Sequence, residues 1–147
     1  MTSTGTQLPL AGLRVLEFGH IAAVPFCGML LADLGADVVK IEAPQGDGLR
    51  AWPPIAKDAN GESFSLNFAS LNRGKRSVVA DLKNPTELDQ VRALCAQTDV
   101  VIENYRPGVL DRLGIGFKDV ARLQKTIIYC SISGYGQSGR DAKRGAF

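Results

Sequence analysis

An α/β fold built on a doubly wound parallel sheet is what this sequence predicts, and three observations predict it. Short runs rich in β-branched residues alternate with stretches whose apolar residues recur at helical spacing. The joining stretches are long enough to hold helices, which implies parallel strand pairing through right-handed crossovers. The resulting order, β-α-β, a long connection, then β-α-β-α-β, is that of an open sheet with helices on both faces.

The elements follow in order. Residues 14–18 (RVLEF) form a short strand after Gly12, and residues 19–24 (GHIAAV) a loop. Pro25 suits the first turn of a helix. Phe26, Met29, Leu30 and Leu34 carry that helix, and Gly35 closes it as a C′ residue. Residues 37–41 (DVVKI) are the second strand. Residues 42–61 are a long connection with Pro44, Gly46, Gly48, Pro53 and Pro54, and Trp52 sits in it close to Arg50. Connections of that length are usually functional or mobile. Residues 62–71 read as one or two helical turns, 72–76 (NRGKR) as a basic turn, and 77–81 (SVVAD) as a third strand.

A strong helix start follows: Asn84 as N-cap, Pro85 at N1 and Glu87 at N3, able to reach back. Leu88, Val91, Leu94 and Cys95 extend it to about Gln97. Residues 99–114 (DVVIENYRPGVLDRLG) are the stretch around which the chain is organised. They begin as a buried strand and end in an amide, an aromatic ring and a cation. Open α/β sheets present ligand-binding groups in this way at the carboxyl ends of their strands. Phe117, Val120 and Leu123 mark a short helix, and residues 126–133 (TIIYCSIS) a fifth strand.

At 147 residues the chain is one domain with enough length to bury a core. A hydrophobic content of 45% and a charged content of 22% are those of an ordinary soluble chain. The net charge of +2 is too small to argue for nucleic acid or an anionic membrane surface. Cys27, Cys95 and Cys130 are odd in number and widely spaced, with no CxxC, which argues against a disulfide framework or a structural zinc site. Thiols buried in a reducing compartment are the simpler reading. The N-terminal MTSTGTQLPLAG lacks a basic segment followed by an apolar run, so a signal peptide is not expected. No apolar stretch reaches the length of a membrane span. A cytoplasmic protein is therefore the expectation.

Several patterns invite a sharper reading. Gly134, Gly136 and Gly139 match GxGxxG after a strand, but no apolar helical period follows and the first βα turn holds only Gly19. Binding of NAD or FAD is therefore not expected. His20 is the only histidine, and a lone histidine makes no metal site. It sits just past the first strand, where either a ligand-proximal or a structural hydrogen-bonding role fits. The cations fall in three loop clusters: Arg73, Lys75 and Arg76 with Lys83; Arg106 with Arg112; and Arg140, Lys143 and Arg144. Loops of a doubly wound sheet converge on one edge, and convergent cations there suit a ligand with several phosphates.

Four blocks in register, LAGLRVLEFGHIAAVPFCGMLLADLGADVVKIEAP, NRGKRSVVADLK, DVVIENYRPGVLDRLG and IIYCSISGYGQSG, carry a resemblance. They look like the N-terminal part of a family III CoA-transferase, of the CaiB/BaiF type, in a superfamily that includes α-methylacyl-CoA racemases. The resemblance implies a Rossmann-like large domain plus a small domain, with two chains interlocked as rings in a homodimer. It implies transfer of coenzyme A from an acyl-CoA donor to a small carboxylic acid. An aspartate nucleophile would form a mixed anhydride and then an aspartyl-CoA thioester. Coenzyme A or acyl-CoA is then the substrate, with no metal and no redox cofactor.

Carried over residue by residue, the resemblance places Ile21, Ala22, Ala23, Ala80, Lys83, Asn104, Tyr105, Arg106 and Arg112 on coenzyme A. Tyr105 offers a face to the adenine and the cations suit the phosphates. Some formate- and oxalate-directed members carry glutamine where this chain has Ala22 and arginine where it has Ala43, so neither substrate is assumed. The family nucleophile is expected beyond Phe147, and none of Asp81, Asp99, Asp111, Asp119 or Asp141 matches it. The expectation is a single Rossmann-like coenzyme A-binding segment over residues 1–147, part of a truncated large domain and inactive alone. An acyl-CoA racemase or epimerase of the same superfamily is the alternative, whose acid/base pair would also lie past Phe147. Asn104 favours the transferase. A non-catalytic coenzyme A-binding fragment is the reading from a different class.

Overall fold

In the computed structural model, residues 7–145 are described. Half of the segment read above for a signal peptide, residues 1–6, lies outside them, as do Ala146 and Phe147. The chain runs β1 (Arg14–Phe18), α1 (Ala23–Asp33), β2 (Asp37–Glu42), a 3₁₀ turn (Gly48–Ala51), β3 (Ile55–Lys57), β4 (Ser63–Ser65) and α2 (Leu66–Asn72). It continues with β5 (Arg76–Val79), α3 (Pro85–Cys95), β6 (Val100–Glu103), α4 (Val109–Arg112), α5 (Phe117–Leu123) and β7 (Ile128–Ser131).

Five strands form one sheet in the order β5-β2-β1-β6-β7, every pair parallel. The chain winds outward from β1 through β2 to β5, then returns to β6 on the other side of β1 and proceeds to β7. The direction of winding therefore reverses between β1 and β6. In this class of sheet the crevice outside the carboxyl ends of those two strands is the ligand site.

Alternation along the strands builds two cores. Leu16, Phe18, Ile41 and Val101 face α3 and α5, meeting Leu88, Val91, Ile115 and Val120. Val15, Val38, Val100 and Ile102 face α1 and meet Val24. Each such side chain contributes about 1.5–3 kcal/mol on leaving water. By the same alternation Glu17 and Lys40 point to the α1 side, and both are fully buried.

The local signals act as the residues imply. Gly35 closes α1 at φ +100, with Ala36 N–H donating to Leu31 O and Gly35 N–H to Ala32 O, a Schellman ending. Asn84 caps α3 by accepting from the Thr86 and Glu87 N–H groups. Glu87 reaches back past the cap to accept from Asp81 N–H at 2.8 Å.

Residues 62–71 differ from the expected helical turns. Only their second half is helical, in α2; the first half pairs as β4 with β3 in an antiparallel hairpin. Strands of three residues are too short for hydrophobic alternation to reveal them. Their turn is built by Asp58, whose carboxylate accepts from Asn60 and Glu62 N–H, with Gly61 at φ +86. Ser65 caps α2 by accepting from Phe68 N–H while donating to Trp52 O. The third strand is one residue earlier at its start than expected, and the fifth is shorter at both ends.

Candidate functional site

A cleft of about 600 Å³ opens at the carboxyl edge of the sheet, where the winding reverses. The loop after β1 supplies His20, and the start of α1 supplies Ala23. The loop after β6 supplies Asn104, Tyr105, Arg106 and Pro107, and the end of β7 supplies Ile132, Ser133 and Gly134. Arg144 comes from the final turns and stands over the Tyr135 ring at 4.9 Å.

Asn104 joins two of these loops. Its Oδ1 accepts from His20 N–H at 3.2 Å and its Nδ2 donates to His20 O at 3.0 Å. Beside it the Tyr105 ring meets the His20 ring edge-on, with centroids 5.6 Å apart. Tyr105 also packs on the core cluster beneath the cleft. Burial, then the neighbouring Glu103 carboxylate, pushes its phenol above the ordinary range. Glu103 is buried at the end of β6 and accepts from Tyr105 N–H at 2.8 Å. Burial raises its carboxyl pKa, and hydrogen bonds from Ser131 and the Tyr105 N–H offset part of that rise. Arg106 is exposed between this cleft and a smaller recess of about 160 Å³ below Glu103. Among the described residues no carboxylate pairs with it. The cleft thus presents two aromatic rings, two guanidinium groups and an amide, a surface that takes a planar, negatively charged ligand.

Of the expected ligand residues, Ala23, Asn104, Tyr105 and Arg106 meet in this cleft. Ile21 and Ala22 lie in the same loop, exposed, outside the lining. Ala80 is buried just past β5, in the core cluster against which Tyr105 packs, and Lys83 is exposed beyond it at the sheet's far edge. Arg112 is exposed on α4, outside the lining. Ile132, Ser133 and Gly134 escaped the sequence reading. The rule that selected the ends of β1 and β6 also selects the end of β7, the strand beside them.

Arg73, Lys75 and Arg76 of the first cation cluster do not join that edge. Arg73 pairs with Asp33 and Arg76 with Asp37, both near the amino end of β2. Lys75 turns inward instead, with its side chain 2% exposed, and pairs with Glu17 at 2.7 Å. Lys40 approaches Glu17 and Asp47, each at 3.0 Å, so four buried charges balance. Burial lowers the Lys75 pKa, and Glu17 opposes the fall. Next to this set, Glu42 takes Arg50 in a two-pronged ion pair and also accepts from Ser77 and Asp47 N–H. Burial opposes ionisation of Glu42, but these donors together hold its carboxyl down at about 2. Arg50 in turn lies 3.7 Å from the Phe68 ring centre.

Residues 10–147 match the family model described as CoA-transferase family III. The chain belongs to that family. Relatives of this CoA-transferase family III chain include a succinate–glutarate CoA-transferase of Agrobacterium fabrum. It is 47% identical over 134 residues, which is 89% of this chain and 34% of the relative. A human succinyl-CoA:glutarate CoA-transferase is 40% identical over 141 residues, 95% of this chain and 31% of the relative. Among solved structures, a CaiB/BaiF family protein from Brucella suis superposes with a TM-score of 0.91 at 42% identity, covering 96% of this chain and 37% of that one. The chain therefore spans about a third of the length of these relatives.

The family fold agrees with the five-stranded parallel sheet described above. The GxGxxG run lies in bends and turns after β7 and opens no helix. Among the described residues no group of three or more histidines, cysteines or carboxylates is placed to hold a metal ion. Among them, too, no helix is long and apolar enough to cross a membrane.

Proposed function

We propose that residues 1–147 form the coenzyme A-binding segment of a CoA-transferase that moves coenzyme A from an acyl-CoA donor to a carboxylic acid. The cleft at the winding reversal carries this reading. It combines the two aromatic rings of His20 and Tyr105 with Arg106 and Arg144 at one mouth. The adenine lies on Tyr105 and the phosphates reach the guanidinium groups, with Arg112 and Lys83 as outer cations. Ile21, Ala22 and Ala23 follow the cofactor along the loop after β1, and Ala80 closes the floor of the site. The small side chains at Ala22 and Ala43 leave room where formate- and oxalate-directed enzymes carry larger groups. The activities of the relatives favour a succinyl-CoA donor with a dicarboxylate acceptor, and a transferase over a racemase.

In this reading the chain's own residues bind and orient the thioester. The covalent aspartyl step falls to a residue outside these 147, because no aspartate lines the cleft among the described residues. Splitting the acyl transfer across such a carboxylate divides one hard step into easier ones. The full-length protein works as an interlocked cytoplasmic homodimer. Three cysteines without a disulfide suit a reducing compartment. Phe26 and Leu30 on α1 and Leu34 at its C-cap, all left exposed, suit coverage by further polypeptide.

Calorimetric titration of the 147-residue chain with coenzyme A tests the binding role. Saturable one-site binding is expected, weakened at least tenfold by Tyr105→Ala and by Arg106→Ala. Absence of binding, or affinity indifferent to both substitutions, would overturn the site. Incubating the chain with succinyl-CoA and glutarate tests the missing step. Net exchange of coenzyme A by the chain alone would overturn the assignment of the nucleophile outside it.

A further inference from the structure

The four buried charges have no direct place in the cleft, yet their bonds converge on one of its walls. Lys40 Nζ donates to Gly19 O at 2.6 Å. Asp47 Oδ1 accepts from Ile21 N–H at 3.1 Å. Lys75 Nζ donates to Pro25 O at 2.7 Å. Three of the four charged groups therefore end on the backbone of residues 19–25, the loop after β1 and the first turn of α1, which carry His20 and Ala23 into the cleft. From the opposite side Asn104 holds both backbone polar groups of His20. Ile21, between these anchors, adopts φ +63, which a β-branched residue rarely occupies. Such a conformation persists only where its surroundings over-determine it.

Stability alone gives no reason for this arrangement. Taking ions out of water costs several kcal/mol each, and well-packed apolar residues of similar volume often do as well or better. What apolar residues cannot do is grip carbonyl and N–H groups at chosen points.

Within the network Asp47 has the central position. Its side chain is 1% exposed and its Oδ2 lies 3.0 Å from Lys40 Nζ. Its Oδ1 accepts from Leu49 N–H as well as from Ile21 N–H, while its own N–H donates to Glu42. It thus fastens the connection after β2 to the loop after β1.

We propose that Asp47, clamped by Lys40, is a positioning residue that holds the His20–Ala23 loop in the shape presented to the ligand. The inference rests on the cleft being the coenzyme A site proposed above. Asp47 touches no ligand itself; it acts through the Ile21 N–H. Preorganising the loop removes an ordering cost from binding, so the network tunes affinity.

The test compares Asp47→Ala, Asp47→Asn and Val38→Ala, the last a core truncation at the amino half of β2. Each chain is titrated with coenzyme A, and amide exchange at Ile21 is followed by NMR. Asp47→Ala is expected to remove protection from Ile21 and to raise the dissociation constant at least tenfold. Asp47→Asn keeps an acceptor oxygen and is expected to restore Ile21 protection and bring affinity to within about threefold of the unsubstituted chain. Should Asp47→Ala fail to fold, Asp47→Asn decides: loss of Ile21 protection in it overturns the role of the acceptor. Val38→Ala should lower the melting temperature with affinity unchanged. The proposal falls if Asp47→Ala leaves Ile21 protected, or shifts affinity no more than Val38→Ala does. An unsubstituted chain that binds no coenzyme A would instead overturn the function reading, and Ile21 exchange would still decide the loop's anchor.

Discussion

The Asn104 carboxamide and the His20 backbone exchange two hydrogen bonds, at 3.2 and 3.0 Å, across the gap between β6 and the loop after β1. One side chain on the organising stretch thereby sets the distance between the two main walls of the cleft. Asn104→Asp keeps the acceptor and loses the donor, placing a carboxylate against the His20 carbonyl. A loss of about 1–2 kcal/mol in stability is expected, read by urea titration, together with weaker coenzyme A binding. Asn104→Asp with unaltered affinity would separate the bridge from the site.

Gly28 lies in the middle of α1, where alanine normally stabilises a helix by about 1 kcal/mol. Here a Cβ would lie 2.1 Å from Glu17 Oε2 and 3.2 Å from Lys75 Cε. Gly28→Ala is therefore expected to destabilise by more than ~2 kcal/mol, because the buried ion set has no room to yield. Gly48→Ala, where nothing lies within 4 Å of the added carbon, is the matched control with a small effect. Equal melting temperatures for the two variants would refute the packing argument.

Two buried carboxyls give opposite pH slopes. Glu42 titrates lower in the folded chain than in the unfolded one, at about 2. Its contribution is present above the unfolded value and is lost as pH falls from about 4.5 towards 2. Glu42→Gln should therefore melt well below the unsubstituted chain at pH 6, with the gap closing by pH 2–3. Glu103 titrates higher when folded, chiefly through burial. Its folded form holds a proton that the unfolded chain has released, so its contribution declines as pH rises through that interval. The melting difference between Glu103→Gln and the unsubstituted chain should move in favour of the variant from pH 4 to pH 7.

Cys95 is fully buried in α3, and burial pushes its thiol up to about 11. Thiolate is the reactive form, so this cysteine should resist alkylation at pH 8 in the native chain and react once the chain is unfolded. Mass-spectrometric mapping of native labelling checks this. Rapid native modification of Cys95 would show that α3 opens easily from the sheet.

The strands and α3 were legible because their signals are local. β-Branched runs, the Asn84–Pro85 helix start and Gly35 each state a backbone preference within a few residues. The organising stretch was legible for the same reason, and Asn104, Tyr105 and Arg106 do stand at the cleft. The hairpin of β3 and β4 was not, because three residues per strand are too few to carry a pattern. The first cation cluster was misleading: Arg73, Lys75 and Arg76 are neighbours in sequence but point to two different places.

By itself the sequence determined the parallel α/β class, the family and the strand ends at which the cleft opens, since each depends on residue type at short range. Only the tertiary structure decided what Glu17, Lys40, Asp47 and Lys75 do. In sequence, Glu17 and Lys40 are charged residues within two short strands, and Asp47 lies in the long connection. Folding brings groups up to 58 positions apart to within 3.0 Å under α1. Attraction between charges depends on distance and on exclusion of water, and neither exists until α1 covers the sheet.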